Sequence, residues 1–205
     1  MVADELTQRD GLRPGNLAAI IWWRSASARR TDLAGLAPAQ RLAPVLRCGW
    51  AANWDYFTVV RASSLDDLNG LAATLARCGH EMTAVLGRRD LDARQGPTGS
   101  HAVWFAALWR WNDAWHRASA AERRAYDADV DQAFTWAHNH GVATLGRYAC
   151  SWSSGWDHFT VWAVPSLDLL DECMHRLGAQ RDWRFAQSYH YIGRPVALAQ
   201  SGGWA

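Results

Sequence analysis

The chain has 205 residues, 49% of them apolar, which is enough to bury a core without disulfides or metals. Its 21 Lys and Arg balance 20 Asp and Glu, so composition gives no electrostatic case for nucleic acid or an anionic membrane as partner. The N-terminal stretch is polar, no run approaches the ~20 apolar residues that span a bilayer, and Cys48, Cys78, Cys150 and Cys173 show neither CxxC nor Cys/His spacing. A cytoplasmic protein with reduced thiols and no metal is expected.

Taken along the chain, residues 1–15 read as a tail. Leu17–Arg24 is apolar and aromatic and makes a natural first strand. Pro38 and Pro44 then interrupt a short helical stretch, so the first helix should be abbreviated. The link from Trp50 to Trp54 reads as a β-hairpin with Asn53 as a positive-φ candidate, and the strand after it alternates Trp54, Tyr56, Thr58 and Val60 against Asp55, Phe57 and Val59. Ser64 stands where a helix N-cap belongs, with Asp66 and Asp67 in the first turn. A final strand, Glu81–Arg88, closes on Gly87-Arg88.

The same order then recurs. Residues 54–68, WDYFTVVRASSLDDL, and 156–170, WDHFTVWAVPSLDLL, share nine of fifteen positions at an offset of 102, which also pairs Cys48 with Cys150 and Trp50 with Trp152. Val103–Arg110 is the second first strand, and Ser119 with Glu122 form a capping-box signature for a helix running to about His138 before Gly141. Trp152–Trp156 repeats the hairpin with Gly155, Ser166 repeats the N-cap, and Phe185–Arg194 repeats the last strand with Gly193-Arg194. The expected class is therefore α+β: two tandem β-α-β-β-α-β (ferredoxin-like) units over 16–90 and 101–197, a linker over 91–100 and a tail over 198–205. Each unit leaves one sheet face bare, and an intrachain barrel would bury both, which explains why both strand faces are apolar.

On these repeated segments the chain resembles the dimeric α+β-barrel superfamily. That group includes antibiotic-biosynthesis-type monooxygenases, polyketide cyclases and darcynin-like proteins and, as fused two-repeat chains, the chlorite-dismutase and aldoxime-dehydratase haem proteins. The resemblance implies small aromatic or polyketide-like substrates in one set and haem in the other. Fold does not choose between them.

The 14 tryptophans, against about two or three at average usage, imply an aromatic core and an aromatic receptacle inside the barrel. Trp54, Tyr56, Trp109, Trp152, Trp156 and Trp162 are the candidate substrate wall. His158 departs from its repeat partner Tyr56 and is the candidate general base, with Asp157 as an orienting or hairpin-capping carboxylate and Tyr189 or Tyr191 as proton donors to an oxyanion. The leading expectation is a cofactor-independent oxygenase or cyclase acting on a small apolar or aromatic molecule, with no tightly bound cofactor, no nucleic acid or membrane partner, and a homodimer left open. The alternatives are a non-catalytic carrier and a haem protein ligated by His175 or His80. His138 and His140, two apart on a helix, do not form a metal pair.

Overall fold

The structure is a computed structural model, described here for residues 17–24, 41–49, 53–77, 81–94, 101–179 and 182–196. Two runs of four strands follow one another, each with a helix between its third and fourth strands: β1 (Leu17–Arg24), β2 (Leu46–Cys48), β3 (Tyr56–Ala62), α1 (Leu65–Arg77) and β4 (Glu81–Leu91), then β5 (Val103–Trp111), α2 (Asp113–Arg117), α3 (Ala120–Asn139), β6 (Ala143–Ala149), β7 (His158–Val164), α4 (Leu167–Ala179), α5 (Asp182–Phe185) and β8 (Ala186–Pro195). The 102-residue offset maps β3 onto β7 and α1 onto α4 end to end. The abbreviated first helix, Trp50 and His80 fall outside the described residues.

Each run forms a four-stranded sheet, β4-β1-β3-β2 and β8-β5-β7-β6, and the two join into a closed barrel through β2–β8 and β4–β6. The chain thus has the duplicated ferredoxin-like α+β fold. Alternation sends one set of side chains inward, where Ile20, Trp22, Phe57, Val59, Leu108, Tyr148, Phe159, Val161 and Tyr191 fill the barrel. The other set faces outward. In the first sheet it includes Ile21, Trp23, Val60 and Leu68 of α1, and in the second Phe105, Trp162 and Val164 pack against α3 and α4.

Local chemistry repeats with the fold. Ser64 Oγ and Ser166 Oγ accept from the backbone N–H groups of Asp67 and Leu169, capping α1 and α4. Thr58 and Thr160 each donate to a carbonyl of the neighbouring segment, Ala43 and Gly146, at 3.0 Å. The capping box at Ser119 and Glu122 is complete, and Gly141 past the end of α3 takes φ 95°. Gly146 within β6 takes φ 108°, and the positive-φ glycine expected at Gly155 is found there instead. Leu91 stays in β4 and Arg94 bridges to Thr144, so residues assigned to the linker belong to the sheet. Among the described residues no helix is long and apolar enough to cross a membrane.

The shared Gly-Arg dipeptide marks the two seams. A Cβ on Gly87 would lie 2.6 Å from Phe159 Cε1 and 2.8 Å from Tyr148 Cβ, and a Cβ on Gly193 would lie 2.6 Å from Phe57 Cε1 and 2.9 Å from Leu46 Cβ. Both glycines are therefore required by close approach between the sheets. Gly87→Ala and Gly193→Ala should each cost about 1–3 kcal/mol, the range for overpacking, whereas Gly178→Ala, which meets nothing within 4 Å, should not destabilise. Urea denaturation of the three variants checks this.

Candidate functional site

The barrel interior is filled, so the aromatic receptacle expected inside it is not there. The cavity lies outside, between the outer face of the second sheet and helices α3 and α4, with a volume of about 460 Å3. That is within the usual range of ~300–1,000 Å3 for small-molecule sites. Its sheet wall carries Phe105, Ala107, Trp109 and Trp111 of β5, Thr160 and Trp162 of β7, and Ser188 and His190 of β8. Its helix wall carries Tyr126, Val130, Phe134 and His138 of α3 with Met174 and Leu177 of α4. Leu91, Asp92 and Arg94, at the end of the first repeat, complete the rim.

The aromatic wall is held by its own packing. Trp162 lies 4.8 Å from Phe105 and 5.3 Å from Phe134 between ring centroids. At the other end Trp111 stacks on Trp115 at 3.9 Å, and Tyr126 and Phe185 meet that pair edge-on. Asn112 caps α2 by accepting from Ala114 and Trp115 N–H, which fixes the start of the helix that carries Trp115. The carboxylate of Asp157 accepts from Trp111 N–H at 2.9 Å, so Asp157 caps a strand end rather than orienting a catalytic group.

His138 was missed by comparing it only with His140. Its four-residue stripe with Tyr126, Val130 and Phe134 was the available signal, and all four line the cavity. His138 Nδ1 lies 2.7 Å from the carbonyl of Val142, which can only accept, so Nδ1 carries a proton and donates it. His140 instead stacks on Trp136 and bonds its carbonyl.

His158 lies on the cavity side of β7 but just behind the wall. Its ring stacks on Trp109 at 4.3 Å, as its repeat partner Tyr56 stacks on Trp23. Its Nε2 is 3.1 Å from Asp90 Oδ2, so the proton sits on Nε2, and its buried Nδ1 has no hydrogen-bond partner among the described residues. Arg147 Nε reaches both oxygens of Asp90 at 3.0 and 3.1 Å. Two bulges create this meeting: one extra residue in β4, between Arg89 and Leu91, and one in β6 between Thr144 and Arg147, where Gly146 sits. Asp90, the last residue of the first unit as read from sequence, is thus tied to the cavity through Arg147.

Other expected site residues do not converge with His158. Tyr191 points into the barrel, where it packs on Trp22 at 4.7 Å, and burial pushes its hydroxyl up to about 12. Tyr189 is exposed and meets Tyr191 edge-on. The strand's alternation places His190, between them, on the cavity face instead. Trp54 and Trp156 pack against the barrel core under Arg24 and Arg110, Trp152 is exposed in the turn, and Tyr56 belongs to the first sheet's outer cluster. Of the expected wall, Trp109 and Trp162 line the cavity. His175, expected as a haem ligand, is exposed on α4 away from it.

Burial alone would raise the carboxyl of Asp90, but hydrogen bonds from His158 and Arg147 and the guanidinium charge outweigh it and hold Asp90 below the ordinary carboxylate value. Asp127 on the rim moves the other way, raised by burial and by Asp131. A lowered folded-state value means stability that is present above the unfolded value of about 4 and lost as pH falls through the folded one. Urea midpoints should therefore drop more steeply between about pH 5 and about pH 2 in the wild type than in Asp90→Asn.

No family model matches the sequence, and no curated protein matches it. Solved structures do. Two mutant forms of chlorite dismutase from Candidatus Nitrospira defluvii superpose with TM-scores of 0.71 and 0.72 at 14% and 13% identity, covering 90% and 93% of this chain and 94% and 95% of theirs. A structure described as a novel heme-binding protein from Thermus thermophilus superposes with a TM-score of 0.69 at 11% identity, covering 89% of this chain and 91% of that one. At these identities the likeness shows the fold, that of the chlorite-dismutase-like proteins. It stands against the expectation of no tightly bound cofactor and on the side of the haem alternative, since a structure described as a heme-binding protein shares the fold over 89% of this chain.

Proposed function

We propose that the chain binds a haem-type tetrapyrrole in the cavity between the second sheet and α3, with His138 as the residue that would hold its iron. The observation that carries this is the placement of His138 among the cavity-lining residues: the bond from its Nδ1–H to the Val142 carbonyl orients the ring, and in the neutral tautomer with that bond the lone pair is on Nε2. A ligating histidine is ordinarily held in this way, by a bond from its other ring nitrogen. The neighbouring structures described as chlorite dismutase and heme-binding protein support the same reading.

The remaining residues fit a flat apolar ligand with polar edges. Phe105, Trp109, Phe134, Trp162, Met174 and Leu177 supply apolar contact and exclude water, while Arg94 lies among the lining residues as a counter-charge for a ligand carboxylate and Arg147 lies there already paired with Asp90. Asp92, Asp127 and Asp131 line it too, so the polar groups carry both signs. When bound, haem would supply redox chemistry at its iron. The chain's own part is to hold the ring through His138 and keep its environment dry. An enzymatic role belongs to this reading by analogy with the dismutases. The expected scheme of proton abstraction by His158 with Tyr191 as donor has no support from the geometry, because the two residues lie on opposite faces of the barrel wall.

Hemin added to purified protein should bind saturably at one per chain with a Soret band distinct from free hemin. His138→Ala should weaken that binding by about tenfold or more, and His175→Ala should leave it unchanged. A titration with no saturation would overturn the reading, and unaltered binding by the His138 variant would remove that residue from the ligand role.

A further inference from the structure

The charged cluster behind the cavity wall has a counterpart at the barrel's other seam, and the two differ in a telling way. Where Arg147 meets Asp90 and His158, the first repeat has Val45 paired with Val196, the valine N–H donating to the Val45 carbonyl at 2.9 Å, and Tyr56 in the place of His158. Val45 is buried, and Tyr56 and Val196 pack on the same apolar cluster. At the positions that match Arg147, Asp90 and His158, that seam therefore carries apolar and aromatic side chains, and its arginines, Arg47 opposite Arg194, lie elsewhere along it. Charged groups at the other are not needed for closure, and apolar replacements for a buried ion pair are commonly as stable.

What separates the two seams is the cavity. Arg147 lines it with its side chain 38% exposed, while Asp90 and His158, at 21% and 18%, stand behind. Asp90 accepts from the Arg147 Nε–H through both carboxylate oxygens, and His158, stacked on Trp109, donates to Oδ2 of the same carboxylate. The cavity thus presents a guanidinium whose charge is already compensated.

We propose that Asp90 and His158 are positioning residues that tie Arg147 to the rim and mask its charge, so that the cavity selects a ligand by its apolar face and admits a ligand carboxylate only in exchange for Asp90. This rests on reading the cavity as the ligand site and specifies how it chooses among ligands.

Tryptophan emission quenched by iodide, an anion, and by acrylamide, which is neutral, tests the masking without any tetrapyrrole. The full chain is compared with D90N, H158Q, R147Q and D90N/R147Q, each against the same variant carrying Trp109→Phe, so that the Trp109 contribution is isolated. The Arg147 guanidinium lies 6.0 Å from the Trp109 ring. A unit positive charge released at that distance concentrates a monovalent anion by about two- to threefold at low ionic strength. D90N should raise the iodide-to-acrylamide ratio by about that factor, H158Q by less, and D90N/R147Q should return it to the wild-type value. An unchanged ratio in folded D90N, or a rise that persists in D90N/R147Q, overturns the proposal. Should D90N lose its native circular dichroism, H158Q decides in the same way. Parallel titrations with hemin and hemin dimethyl ester keep the two readings apart: D90N should shift preference toward hemin over its ester. A raised iodide ratio with no hemin bound by any variant would overturn the tetrapyrrole and leave the masking of Arg147 supported.

Discussion

Closing eight strands into one barrel through two seams is the constraint from which the other features follow. A four-stranded ferredoxin-like sheet covers one face with helices and leaves the other to water, and neither half can stay that way with Phe57, Val59, Phe159 and Val161 on the bare face. Face-to-face closure buries them, but only where the backbones approach closely enough, and Gly87 and Gly193 supply that approach at equivalent points of the two halves. With the interior filled by aromatic rings, the cavity formed by the described residues lies on an outer face, under α3 and α4.

Duplication then gave one half room to diverge. Trp23 with Tyr56, and Trp109 with His158, occupy matching positions and both stack with an interplanar angle of 22°. The frame of the stack is kept while one ring gains a titratable nitrogen and a carboxylate neighbour. In the first repeat the corresponding surface is sealed by Val45, Val60 and Ala62. In the second, bulges at Asp90 and Gly146 break the ladder and turn polar groups toward the rim. The site arises where the second copy departs from the regularity of the first.

The fold was legible because the repeat was. Both N-cap serines, the capping box at Ser119, the outer strands and the Gly-Arg closures all follow from local rules, and the offset of 102 ties them into two copies. The site was less legible for physical reasons. Alternation along β7 sorts His158 and Trp162 onto one face correctly, but with both faces apolar it cannot say which is inside the barrel, and the cavity was assigned to the wrong side. Alternation along β8 separates His190 from Tyr189 and Tyr191, and the conspicuous tyrosines belong to the core. Asp90 and Arg147 are far apart in sequence, and a bulge leaves no periodic trace. His138 was visible in the stripe from Tyr126, yet a histidine at a helix end has no motif to mark it.

One property of α3 bears on how such a site behaves. Over 20 residues it fully buries only Tyr126, Ala133 and Ala137, while Val130, Phe134 and His138 turn half-covered toward the cavity. The helix therefore rests on few fully buried side chains of its own, and a ligand beneath it would extend the core on which it packs. A ligand bound there, as proposed above, would link occupancy to the local order of α3, because contact with Val130, Phe134 and His138 would add to the docking of the helix.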